Sequence, residues 1–336
     1  MNKMTKLGVS ALCGSLAAVS GAHAGDLTVS GGVDMTWVSM PKTHTGNPIG
    51  IGSNFTLSGD GEMDNGWTVD LNIVAKNRLA YSTTNVTVTV PGLGDLRIGQ
   101  GGSGTGIDRM DDVTPNVWEE AYGVGLSNGI QTVNGASTGT GIEWTPDMTP
   151  DGATVRLFWT PGAYGSANND GAGGGGATTS NSGSNGYDAT IVLTDAITGM
   201  AGLEIGAGYA KVDLGAADGD VEDTTIYATY AVGGFTLGYQ WSEADLGTTT
   251  GAQQYDNNGY GITFAVNDDL SIGYNHYESE QTNSTNVTNE ASSMQIAYSA
   301  GGLSIRLAEG KSDNEDYNTG AAYDRDNTIL SVALAF

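Results

Sequence analysis

Val86-Thr-Val-Thr-Val-Pro-Gly-Leu-Gly-Asp-Leu-Arg-Ile-Gly-Gln100 holds two short alternating runs joined by a compact turn, and its reading decides the fold. Val86, Val88 and Val90 share one parity with Thr87 and Thr89 on the other; Leu96 and Ile98 then alternate with Arg97. Period-two alternation is the mark of a half-buried strand. Pro91-Gly-Leu-Gly94 supplies a preset φ and glycine freedom for the turn. The pair reads as a hairpin with one apolar and one polar face. Directly after Gln100 the alternation stops: Gly101 to Gly139 carries Asp108, Asp111, Asp112, Glu119 and Glu120 against the single base Arg109. A connection of nearly forty residues is far longer than usual, and such loops are functional or disordered.

Outward from this hairpin the same grammar continues in both directions. Leu27, Val29, Val33, Met35 and Trp37 form the first apolar face. Segments 53–61 and 67–73 follow, joined by Asp64-Asn65-Gly66, a turn that favours positive φ. Beyond the long loop come 141–146, 155–159, 189–193, 203–209, 226–232, 235–241, 260–266, 270–276, 294–298, 303–307 and 328–336. The total is sixteen strands. Short turns at 64–66, 91–94, 147–152, 195–200, 233–234, 267–269 and 300–302 alternate with long polar loops, so one end of the sheet is tight and the other elaborate. Residues 162–186 form a low-complexity Gly/Asn/Ser/Ala run, read as a mobile surface loop.

Composition narrows the setting. The first 24 residues have the parts of a secretory signal: Lys3 and Lys6, an apolar core from Leu7 to Val19, and Ala22-His23-Ala24 before Gly25. Cys13, the one cysteine, lies in that segment, so a chain of 25–336 has no disulfide to draw on. Formal charge is -26 for the whole sequence, and about -28 once Lys3 and Lys6 are removed. Such a chain repels phosphate backbones, which excludes nucleic-acid binding, and attracts cations. No apolar run after the signal approaches the roughly 20 residues of a membrane-spanning helix. If the chain lies in a membrane, it does so as strands.

Tryptophan placement argues for that membrane. Trp67 and Trp144 flank short turns while Trp37, Trp159 and Trp241 approach long loops, as two interfacial girdles require; Trp118 alone falls off the pattern. A sheet with an apolar outer face must close, because lipid cannot satisfy a free edge. Sixteen strands close around an aqueous channel. The expected fold is an all-β, sixteen-stranded antiparallel transmembrane β-barrel, one domain over 25–336.

Three stretches carry a family resemblance: Asp26-Leu-Thr-Val-Ser-Gly-Gly32, Gly94-Asp-Leu-Arg-Ile-Gly-Gln100 leading into the long loop, and Ile329-Leu-Ser-Val-Ala-Leu-Ala-Phe336. With these the chain resembles a general porin of the Gram-negative outer membrane, the trimeric sixteen-stranded kind similar to those of Rhodobacter. The resemblance implies short periplasmic turns, long outer loops, and a third loop, 101–139, folded inward as a pore constriction. Its acids Asp108, Asp111, Asp112, Glu119 and Glu120 would then face basic wall residues. Arg97, Arg156 and Arg306 are selected by parity, opposite in phase to their strands' apolar residues, with Lys76 at the end of the third strand. The resemblance also implies a homotrimer in lipopolysaccharide-containing membrane, and it makes Phe336 a signal for the outer-membrane assembly machinery. Asn77 to Ser82 is short for a loop that latches onto a neighbouring subunit.

Other motifs carry less. Gly99-Gln-Gly-Gly-Ser-Gly104 matches a dinucleotide fingerprint but lacks a following amphipathic helix, so its glycines serve chain bending. Asn85-Val-Thr87 matches a glycosylation acceptor by chance in so Asn/Thr-rich a chain. Asp218, Asp220, Asp313 and Asp316 offer oxygen ligands for weakly bound calcium without EF-hand spacing; no other cofactor is expected. His44 and His276 are far apart with no Ser/His/Asp arrangement, so no enzyme is expected. The function implied is a passive channel for ions and small hydrophilic solutes, cation-preferring because wall bases are few. A solute-specific channel would need an aromatic track, and Tyr227, Tyr277 and Phe158 on the polar parity are sparse for one. A non-conducting adhesive barrel would bind through 162–186.

Overall fold

A computed structural model of the protein describes residues 23–24, 27–39, 46–77, 80–100, 104–124, 128–136, 140–163, 185–213, 219–247, 254–282 and 286–336. The signal segment up to residue 22, His44, Asp218 and most of the 162–186 run lie outside the described residues. So does part of the short second loop.

Sixteen strands form one closed antiparallel sheet: β1 (Thr28–Val38), β2 (Ile49–Glu62), β3 (Thr68–Lys76), β4 (Ala80–Val90), β5 (Gly94–Gln100), β6 (Gly141–Pro146), β7 (Ala153–Thr160), β8 (Gly186–Leu193), β9 (Leu203–Asp213), β10 (Asp220–Val232), β11 (Phe235–Asp245), β12 (Gln254–Ala265), β13 (Leu270–Thr282), β14 (Val287–Ala300), β15 (Leu303–Asp313) and β16 (Arg325–Ala335). Each pairs with its neighbour in sequence, and β16 returns to β1 in a register running from Ile329 opposite Val38 to Ala335 opposite Gly32. Beyond Ala335 the Phe336 backbone exchanges two 3.0 Å hydrogen bonds with Gly31. Thus no edge is left in the ladder. His23–Ala24 adds a two-residue bridge to Gly61 and Glu62 of β2.

The alternation explains the closure. Outward positions such as Leu237, Tyr239, Ile262, Ile272, Tyr274, Ile296, Leu307 and Leu330 are exposed large apolar groups. Inward positions such as Asp188, Thr225, Gln240, Asn257, Asn275, Asn289 and Ser331 are polar and buried. This is a soluble protein's pattern inverted, and it suits hydrocarbon outside and polar matter inside. No helix among the described residues is long and apolar enough to cross a membrane; the strands cross it.

The tight end follows its turn chemistry. Gly66 has φ 81°, Gly92 77° and Gly94 103°, all in the left-handed region that the Asp64-Asn65-Gly66 and Pro91–Gly94 turns demand. Turn 195–200 contains a single helical turn, Asp195–Thr198, ended by Gly199 at φ 70°. Several strands outrun their alternating segments, chiefly toward the long-loop end. There β4 starts at Ala80 and β12 at Gln254, because residues such as Thr83, Thr84 and Asn257 pair perfectly well without an apolar partner face.

Candidate functional site

In the connection between β5 and β6, hereafter L3, the described residues 104–124 and 128–136 lie along the inside of the barrel against β6 to β16. Its first anchor is electrostatic. Arg97 on β5 donates from Nη1 to the Gly104 carbonyl at 3.0 Å as the loop turns inward. A short 3₁₀ turn, Gly106–Met110, follows. On β6, Glu143 accepts the Gly106 N–H at 2.7 Å and holds Arg109 of the same turn at 2.6 Å. Asp188 on β8 accepts from Ile107 N at 3.2 Å and, on the loop's return, from Ala136 N at 3.1 Å. Asp223 on β10 takes Asn134 N at 3.1 Å and Gly135 N at 2.6 Å through one oxygen. These three wall carboxylates are almost wholly buried. Each gathers N–H groups that an irregular loop would otherwise leave unpaired, in charge-assisted bonds stronger than neutral ones.

Farther along, side-chain amides do the same task. Gln295 on β14 accepts the Trp118 N–H at 3.0 Å and donates to the Glu119 carbonyl at 2.5 Å, where Asn275 of β13 also donates at 3.2 Å. Asn327 of β16 donates to Val124 O at 2.9 Å, Asn289 of β14 to Asn128 O at 2.8 Å and Asn257 of β12 to Gln131 O at 2.9 Å. An amide suits this role because it offers both a donor and an acceptor to a backbone with no ladder of its own. Close approach needs small wall residues: a Cβ on Gly261 would run into the Pro115 carbonyl oxygen, and one on Gly238 into the Pro115 ring. Apolar contacts complete the seat. Ile107 and Val133 pack on Ala210, and Val124 packs on Ala308 and Ile329 with Trp118 beside them.

Trp118, the tryptophan outside the girdle pattern, is therefore a lumenal residue. Its indole lies 5.2 Å from the guanidinium carbon of Arg306 on β15, a cation–π geometry. The loop after β15 also bends inward: Tyr317 presents its hydroxyl to Gln131 N at 3.1 Å and to Ser279 at 2.7 Å, and Asp316 N donates to Asn128 O at 2.9 Å. Glu315 beneath it is ion-paired with Arg325.

The loop acids fall into two adjacent pairs. Asp112 and Glu119 are exposed, Asp108 and Asp111 partly so, and Glu120 is buried. Burial first, and then the neighbouring Asp112 carboxyl, pushes Asp111 up to about 8. Burial, followed by a hydrogen bond with Glu119, likewise pushes Glu120 up to about 9, and Asn116 donates to its carboxyl at 2.5 Å. Like charges this close hold a proton between them. Among the described residues no ion pair joins Asp111, Asp112, Glu119 or Glu120 to a base.

The wall bases form two groups. Arg97 and Arg156 lie near Arg109, with Glu143 among them. On the far side Arg306 pairs with Asp34 of β1 at 3.0 Å, and a recess there is lined by Lys76, Asn54, Asp34 and Arg306. Phe336 exposes its ring beside β1. Of the calcium candidates, Asp220 is paired with Lys211 at 2.6 Å and Asp313 with Lys311 at 2.5 Å, while Asp316 sits in the inward turn after β15. Tyr277 and Phe158 are packing residues: Tyr277 meets Tyr122 of L3 edge-on at 4.8 Å and Phe158 packs on Ala136. The sequence reading did not single out Glu143, Asp188 or Asp223. Each is an acid on the polar parity of its strand, a mark it shares with many residues that do not touch L3.

A closed sixteen-stranded barrel with lipid-type residues outside, and polar residues inside that hold L3 against the inner wall, defines an outer-membrane channel. The sequence matches the Gram-negative porin family model over residues 9–324, and the chain belongs to that family. No curated protein matches it in sequence. Solved structures share the fold: an anion-selective porin from Comamonas acidovorans (TM-score 0.67, 13% identity, 93% of this chain and 99% of that one) and OmpF of Salmonella typhi (0.67, 12%, 93% and 98%). A mutant Rh. blastica porin aligns at 0.59 with 15% identity, over 93% and 100% of the chains. The protein is a β-barrel of the Gram-negative outer membrane.

Proposed function

We propose that the protein is a general diffusion channel for ions and small hydrophilic solutes, with a preference for cations set by L3. The observation that carries this reading is the imbalance of lumenal charge. Among the described residues Arg109, Arg306 and Arg325 are ion-paired with Glu143, Asp34 and Glu315, and Arg97 and Arg156 lie beside Arg109, whereas no ion pair joins the four paired acids of L3 to a base. Negative charge on an ordered loop in the lumen raises the local cation concentration and disfavours anions. A fold shared with an anion-selective porin does not set the sign of selectivity; the lining charges do.

Asp108, Asp111, Asp112, Glu119 and Glu120 form the constriction in this reading, and Arg97, Arg156, Arg306 and Lys76 the opposing wall. Together they impose a transverse field that orders water and disfavours bulky apolar solutes. The burial of Tyr227, Tyr277 and Phe158 supports a general rather than a solute-specific pore. The working unit is a homotrimer on the strength of the family resemblance, with Phe336 as its assembly signal and 1–24 as a removed signal peptide. Planar-bilayer recording across a salt gradient tests the selectivity: the reversal potential has the sign of cation flow, and an anion-favouring potential overturns the reading.

A further inference from the structure

Among the described residues, the outer face of the barrel carries a grouping of metal-type ligands that the channel does not use. His276 and Glu278 share the outward parity of β13 with Ile272 and Tyr274, and Glu290 lies on the outward face of β14. All three stand toward the long-loop end. One nitrogen of His276 and one oxygen from each of Glu278 and Glu290 lie within 4.8 Å of one another.

Two features show that this is more than proximity. Glu278 and Glu290 are direct cross-strand partners, and like charges at that position destabilise a sheet unless a counter-charge is present. Lys311 on β15 is ion-paired with Asp313 at 2.5 Å, and its single charge is shared with Asp326 and Glu290 as well. The third ligand is also held in place. His276 lies 3.1 Å from Glu278, and its ring rests against Tyr260 of β12 at a centroid distance of 5.0 Å and a tilt of 31°. An imidazole fixed by an aromatic neighbour and converging with two carboxylates is a nitrogen-and-oxygen donor set. That set suits a borderline divalent ion such as Zn²⁺ rather than the all-oxygen cages of Ca²⁺ or Mg²⁺.

We infer that His276, Glu278 and Glu290 form a Zn²⁺-type site on the barrel's outer wall, completed by water. Tetrahedral bonds of about 2.0 Å need ligand atoms roughly 3.3 Å apart. Rotation of the two glutamate side chains closes the 4.8 Å spread without moving the strands. Bound metal then adds to the partial counter-charge that Lys311 gives Glu290.

Metal content and affinity are measured on the folded, detergent-purified full chain by titration with Zn²⁺ alone, with Ca²⁺ titrated separately. The expected result is one Zn²⁺ per chain, bound at least about tenfold more weakly in both His276→Ala and Glu290→Gln. Glu280→Gln, an outward acid outside the triad, leaves it unchanged. Heat-modified gel migration checks that each variant is folded; if His276→Ala fails to fold, His276→Gln takes its place. No stoichiometric Zn²⁺ binding overturns the inference. So does binding that His276→Ala leaves intact, or Ca²⁺ binding of equal strength, since either would mean an unselective carboxylate cluster.

Discussion

Replacing Asp111 and Asp112 with Asn and Glu119 with Gln in one chain tests the role of L3 directly. The two pairs Asp111/Asp112 and Glu119/Glu120 each retain a proton near neutral pH, so the triple variant removes one to two charges rather than three. A hydrated ion passing roughly 7 Å from a carboxylate in water feels about 0.6 kcal/mol, halved by screening at 0.1 M salt to about 0.3 kcal/mol. Cations and anions feel it with opposite sign. The ratio of their permeabilities therefore falls by about threefold for one charge and about eightfold for two. Reversal potentials in planar bilayers, taken across a tenfold KCl gradient, read this ratio. Heat-modified migration confirms that the barrel has formed. A permeability ratio equal to that of the unaltered protein would show that these carboxylates stand away from the ion path, and the account of L3 as the filter would fail.

Other expectations come from the same geometry. Because Asp111 is held near 8 and Glu120 near 9, each is neutral below its value and charged above it, so cation preference should climb between pH 6 and pH 10. A flat profile in the unaltered channel would contradict the shared-proton pairs. Asp223→Ala removes the acceptor of two loop N–H groups. Bonds to a charged group are worth about 1.5–3 kcal/mol each, so hydrogen exchange over 128–136 should quicken by tenfold or more while the strands stay protected. Uniform exchange across loop and wall would refute that local anchoring. Gly261→Val drives a side chain into the Pro115 carbonyl; it should leave heat-modified migration intact but alter single-channel conductance through a displaced L3. Unchanged conductance would mean that L3 yields at Pro115 without reshaping the lumen.

Much of this molecule was legible in one dimension. Strand periodicity is a local property, so Leu96, Arg97 and Ile98 report which face each residue takes without knowledge of any partner. Turn chemistry is equally local, as Asp64-Asn65-Gly66 and its left-handed glycine show. Sixteen alternating segments with an apolar outer parity leave a closed barrel as the arrangement that satisfies every backbone group in lipid.

What the sequence could not supply were contacts between residues far apart in the chain. The carboxylates that seat L3, Glu143, Asp188 and Asp223, lie 37 to 89 residues from the N–H groups they accept, and the amides of β12 to β16 lie farther still. Nothing local distinguishes such a residue from any other on the polar parity. Arg306 illustrates the same limit: parity assigned it to the lumen, but only the folded chain brings Asp34 and Trp118 to it. The pattern of side chains along each strand thus determined the barrel. Closure of β16 onto β1 and the inward fold of L3 decided which charges meet, because an electrostatic partner is set by distance in space and not along the chain.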